Sequence, residues 1–115
     1  MSLAIRLMPE TVRSAAFGVI GAAYVGMGTA MTRPIRIFMV QNLTDASVMV
    51  SFDGVHDHFP LEAHGYLLLD ITSNKTITQG FFLAEDQRIY VRRLAPAVAP
   101  TVGAVYLTTF YGAEL

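Results

Sequence analysis

Apolar residues along this chain come in short runs broken by turn formers at roughly ten-residue intervals, the spacing of strands in sandwiches and barrels. The runs are Ile35 to Gln41, Ser47 to Phe52, Tyr66 to Ile71, Thr76 to Ala84, Arg88 to Leu94 and Ala104 to Tyr111. Between them stand Asn42, Thr44 and Asp45, then Asp53-Gly54, His64-Gly65, Ser73-Asn74, Glu85-Asp86 and the stretch from Pro96 to Gly103. Val, Ile, Tyr, Phe and Thr fill the runs, which suits a pleated, half-buried surface. In Ser47 to Phe52, residues Val48, Val50 and Phe52 share one face; in Arg88 to Arg92, Ile89 and Val91 point away from the two arginines. That alternation is the half-buried antiparallel pattern, apolar inward and polar outward. It predicts an all-β fold, a single antiparallel β-sandwich of jelly-roll-like type.

Two runs depart from the alternation. Ile35 to Val40 and Tyr66 to Leu69 are apolar on both faces over most of their length. Successive side chains of a strand point to opposite faces, so these runs need cover on both sides. An opposing sheet supplies one cover, and a neighbouring subunit is the natural second. A third region, Ser14 to Thr32, carries no charge at all. It approaches the roughly 20 apolar residues that span a bilayer, but Gly18, Gly21, Gly26 and Gly28 weaken it as a helix. Pro9 and Glu10 ahead of it do not suit a secretory leader. It reads instead as a glycine-rich arm or strand pair that admits close backbone approach, with no membrane role. Arg33-Pro34 punctuates its end, because the residue before a proline is pushed toward extended geometry. The chain thus divides into an N-terminal arm or strand pair over residues 1–34, packing on or between subunits, and a sandwich core over 35–115.

Composition sharpens the question of cover. A chain of 115 residues fits one domain. Only 15% of it is charged and 53% is hydrophobic, against a usual charged fraction of about 25%. Too few charges remain to coat the exterior, and large contiguous apolar patches mark interaction sites. We therefore expect a closed homo-oligomer, with a trimer favoured, since closed symmetry satisfies every copy equally. The net charge of −1 leaves no footprint for nucleic acid. Arg92-Arg93, the one basic pair, reads as a solvated strand edge. With no cysteine, disulfides and thiolate metal sites are excluded.

All three histidines lie within nine residues, in His56-Asp57-His58-Phe59-Pro60-Leu61-Glu62 and then His64. Alternate strand residues share a face, so His56 and His58 in His-x-His-x3-Glu could reach one ion with Glu62 as a hard oxygen ligand, the arrangement used by cupins. The cupin pattern is incomplete: Val55 alone separates Gly54 from His56, Pro60 interrupts the strand, and no second histidine motif follows. His56, His58 and Glu62 are thus candidates only, and the reading is of loop residues with no metal and no cofactor. Ser51 and Ser73 lack the context of an activated nucleophile, and Gly26-Met27-Gly28 lacks the third glycine of a dinucleotide fingerprint. Asn42-Leu43-Thr44 and Asn74-Lys75-Thr76 match a glycosylation pattern, yet Asn and Thr stand there equally as turn formers. No catalytic residue emerges.

The stretch Ile35-Arg36-Ile37-Phe38-Met39-Val40-Gln41-Asn42-Leu43-Thr44-Asp45-Ala46, with Val48-Met49-Val50-Ser51-Phe52-Asp53-Gly54, resembles small virion structural proteins of tailed bacteriophages. Leu67-Leu68-Leu69-Asp70, Arg88-Ile89-Tyr90-Val91 and Gly103 to Gly112 continue the likeness, which lies in strands and turns over the last two-thirds of the chain. The resemblance implies a non-enzymatic β-sandwich in the virion, with the host cytoplasm as its place of assembly. It would be a capsid decoration (cement) protein bound to the major capsid protein or other virion proteins. An adaptor ring between head and tail is the alternative within that class. Outside it stand a cupin-like metal-binding enzyme and a sugar-binding sandwich using Tyr90, Tyr106 or Tyr111.

Overall fold

A computed structural model describes residues 5–70, 86–94 and 98–114. Its strands are β1 (Ile5–Pro9), β2 (Arg13–Ala16), β3 (Val25–Gly26), β4 (Ile35–Asn42), β5 (Val48–Ser51), β6 (Phe59–Leu61), β7 (Tyr66–Asp70), β8 (Tyr90–Arg93) and β9 (Ala104–Glu114). They form two antiparallel sheets packed face to face, the β-sandwich that the apolar pattern predicts. The larger sheet runs β1-β9-β4-β7, with β2 following β1 along the same edge of β9; the smaller runs β3-β8-β5-β6. The run Thr76 to Ala84, expected as a strand, lies outside the described residues.

Side chains from both sheets meet in one core. Phe38, Val40, Val105 and Leu107 of the larger sheet lie within the same buried cluster as Val48, Val50 and Val91 of the smaller one. Phe38 meets Phe52 edge to face at 5.9 Å, and Phe52 meets Phe59 at the same separation. Such aromatic pairs add about 0.5–1.5 kcal/mol beyond their area. The residues expected as an arm or strand pair run through both sheets and into this core: β1 and β2 border β9, β3 borders β8, and Ala15, Ile20, Met27 and Met31 are buried. Among the described residues no helix is long and apolar enough to cross a membrane.

One irregularity sets the position of a charge. Pro9 pairs with Phe110 and Arg13 with Leu107, so three residues of the N-terminal strand stand opposite two of β9. This is a β-bulge, and the extra residue re-aims everything after it. Arg13 consequently faces inward beside Leu107, only 6% exposed. Gly28, at φ +63°, makes room for it, since a Cβ there would sit 2.9 Å from that of Arg13.

Two expectations need correction. Pro60 does lie in a strand, β6, but that strand is the edge of the smaller sheet, where a missing N–H is tolerated. Arg92-Arg93 is not a strand edge: β8 lies inside the smaller sheet, between β3 and β5. Val91 within it and Ile89 just before it are fully buried, as the alternation required.

Candidate interaction surface

The larger sheet has a second face, turned away from the core, and its register defines that face in rows. Ser14, Tyr106, Gln41 and Tyr66 form one row across β2, β9, β4 and β7. Thr108, Met39 and Leu68 form the next, and Pro9, Phe110, Ile37 and Asp70 the third. Leu7 stands beyond them beside Gly112. The single charge in these rows is Asp70, at the corner where β7 ends. Tyr66 is 67% exposed and Leu68 53%, while Ile37, Met39, Tyr106 and Phe110 are half-buried by their neighbours in the sheet. No other described strand is stacked on this side, because the smaller sheet occupies the opposite face. It is the uncovered second face that the doubly apolar runs Ile35 to Val40 and Tyr66 to Leu69 implied. β9 contributes Tyr106 and Phe110 to it, which the sequence reading did not single out for this role.

The outward side of the smaller sheet is chemically different. Arg92 donates to Asp57 Oδ2 at 2.9 Å, and its guanidinium lies 5.3 Å from the centre of the Tyr24 ring. The Tyr24 hydroxyl donates to the other Asp57 oxygen. These bonds, from Tyr24 first and Arg92 second, hold the Asp57 carboxyl below its usual range. Asp53 is lowered further, by the His56 backbone N–H, the His56 ring and the Val55 N–H that it accepts. Asp57 and Asp53 are thus both engaged where they meet solvent.

His56 and His58 flank Asp57 in the connection from β5 to β6 and His64 lies in the turn before β7, and they do not assemble a site. His56 Nδ1 lies 2.8 Å from Asp53 Oδ2. His58 Nδ1 accepts the Phe52 N–H at 2.9 Å, which turns that nitrogen to the backbone. His64 occupies a left-handed turn at φ +64°, its N–H bonded to the Asn42 carbonyl. Among the described residues no three His, Cys, Asp or Glu side chains converge as metal ligands would, His56, His58 and Glu62 included. Ser51 donates to Asp53 rather than to an imidazole. A serine nucleophile needs the base at its hydroxyl and the acid behind the base, so this order of contacts does not activate it.

The tyrosines considered for sugar binding are scattered. Tyr111 lies against the core with the Arg33 guanidinium 4.5 Å from its ring. Tyr90 covers Gly54, whose added Cβ would meet the ring at 3.2 Å. Tyr106 has Ser14 and Gln41 as register neighbours, without the flanking Asp or Asn that a sugar platform needs.

Two buried polar clusters escaped the sequence reading, and both are structural. Arg13 donates to the carbonyls of Thr29 and Ala30, to Glu10 Oε1 at 2.9 Å and to Thr109 Oγ1 at 2.9 Å. Burial pushes the Glu10 carboxyl up, but hydrogen bonds from Thr32, Thr109 and Arg13 outweigh it and leave it lowered. Asn42, fully buried, donates to the carbonyls of Ala46, Leu61 and Glu62 and accepts from the Thr44 N–H and hydroxyl. Its amide is therefore committed to joining loops, in keeping with a turn former. Asn74 lies outside the described residues.

Comparison with protein-family models, with curated proteins and with solved structures finds no match to this chain.

Proposed function

We propose that this protein is a non-enzymatic structural subunit that works by burying the outer face of its larger sheet in an assembly. The observation carrying this reading is the face itself: five strands present three rows of apolar and uncharged side chains, with Asp70 at a corner as the one charge in those rows. Apolar burial contributes about 25 cal/mol per Å², so even a modest contact supplies several kcal/mol before association costs are met. Repetition of such contacts over a shell adds strength that no single contact has. The chemistry of the other side supports the same class, because Arg92, Asp57 and Tyr24 are engaged with one another, as are Asp53 and His56, and Ser51 bonds to Asp53. The likeness of its strands and turns to small phage virion proteins suggests the setting, a capsid decoration protein that braces neighbouring capsid subunits.

Mass spectrometry of purified particles tests this setting. The chain is expected among the particle proteins in a copy number comparable with the major capsid protein. Six or twelve copies per particle would indicate a ring between head and tail instead. Absence from particles would overturn the virion reading, and stoichiometric metal or turnover in the pure protein would overturn the non-enzymatic one.

A further inference from the structure

We propose that the occupant of the larger sheet's outer face is a second copy of this chain, stacked face to face about a two-fold axis that runs along the strands. The inference rests on the reading of the protein as an assembly-forming subunit and names the partner of the same surface. Rotation about such an axis keeps each row at its own height while reversing the strand order. The row of Ser14, Tyr106, Gln41 and Tyr66 then lies on its own counterpart, where hydroxyls and the amide can exchange hydrogen bonds. In the third row Phe110 of each copy lies on Ile37 of the other, and Pro9 lies under the other copy's Asp70. Asp70 of one copy comes over the β1 edge of the other, so the two carboxylates stand a sheet's width apart. With Asp70 the one charge in these three rows, the surface matches an equally apolar one such as its own.

The dimensions fit a reversible pair. Four strands about 4.8 Å apart, with about 3.4 Å per residue along nine residues of β9, give a flat area on the order of 450 Å² per copy. Side-chain relief enlarges that figure, which places the pair at the small end of specific interfaces, about 1,000 Å² in total. Aligned packing at about 30° between sheets about 10 Å apart is the geometry that two such faces adopt. The result is an isologous contact that closes on itself.

Sedimentation velocity over a dilution series, on the whole chain and on single variants, tests this. The parent should sediment at twice 12.6 kDa when concentrated and move toward 12.6 kDa on dilution. Leu68→Glu and Tyr66→Glu change side chains that are exposed in the single chain, so both should keep a cooperative melt. Each would bury an unpaired carboxylate in the interface, which should weaken association about 100-fold or more. Val55→Glu, 74% exposed on the other side of the molecule, should leave the mass unchanged. A parent that is monomeric throughout overturns the proposal, as does a trimer or larger species whose mass Leu68→Glu and Tyr66→Glu preserve. The particle experiment reads separately. A monomer that co-purifies with particles contradicts only the stacked pair, and a pair absent from particles contradicts only the virion role.

Discussion

The two outward faces of this sandwich are built on the same backbone plan and hold opposite chemistry. On the smaller sheet, Arg92, Asp57 and Tyr24 satisfy one another in view of solvent, and Asp53 ties down the loop through His56. On the larger sheet, Tyr66, Leu68, Met39 and Phe110 present apolar surface with little polar relief. The larger sheet does have an Arg–Glu pair, but the bulge before Arg13 turns it into the core. Under the proposed assembly, charge on this sandwich follows the cover each face has. A face that stays wet can display its ions, whereas one that becomes covered excludes them, because burying an unpaired charge is costly.

The largest expected effect comes from the charge placed inside. Arg13→Met removes the cation from a pair whose side chains are only 6% and 7% exposed. It should destabilise the fold by about 3–5 kcal/mol, read by denaturant titration. Arg13→Lys should recover only part of this, since an ammonium cannot reproduce the fork that reaches both Thr29 and Ala30. The lowered Glu10 carboxyl gives the pH dependence. Its contribution is present above its unfolded-state pKa and is lost as pH falls through the lower, folded value.

Next in size, Asn42→Ala strips the Ala46, Leu61 and Glu62 carbonyls of a donor and the Thr44 N–H of an acceptor. A loss of about 3 kcal/mol should follow from leaving such groups buried without partners. This variant should not alter association, because Asn42 faces the core.

On the wet face the effects shrink. Arg92→Leu should lower Tm by a few degrees at neutral pH and leave the oligomeric mass unchanged. Asp57 is held below its usual range, so the ion pair's contribution is present above the unfolded-state pKa and lost as pH falls through the folded one. The Tm difference between parent and variant should therefore vanish in strong acid. Smallest of all, replacing His56, His58 and His64 together by Asn should keep stability within about 0.5 kcal/mol, the usual range for surface changes. An Asn oxygen can accept where His58 Nδ1 accepts from Phe52, and Asn tolerates the left-handed turn of His64. A loss of several degrees that zinc or manganese restores to the parent would overturn the metal-free reading.

Much of this contrast was written in the alternation. Phe38 and Val40 alternate with Met39 and Gln41, so β4 was legible as a strand needing cover on two sides, and Ile89 and Val91 were legible as core. The outer face was legible as a requirement but not as a place, because only the register brings Tyr106 beside Gln41 and Tyr66. β1 and β6 were missed, and each holds a proline. Pro60 read as a break and Pro9 only as a residue ill-suited to a leader, yet both stand in strands at sheet edges. Arg13 was illegible in a stronger sense. A one-residue offset exchanges the faces of a strand, and the bulge that supplies it has no signature in Glu10-Thr11-Val12. Asn42 was read correctly as a turn former, but its burial depends on loops distant in sequence meeting at one amide.

The central claim is the proposal that a second copy of this chain covers the outer face of the larger sheet while that of the smaller sheet stays open. Because the chain has no cysteine, single substitutions Leu68→Cys and Val55→Cys give each side a unique thiol at a position exposed in the isolated chain. Thiol labelling rates, measured from concentrated to dilute protein, compare the two directly. The account predicts that the thiol at position 68 is protected when concentrated and becomes reactive on dilution, while that at position 55 reacts quickly throughout. Equal, concentration-independent rates at both positions would contradict it.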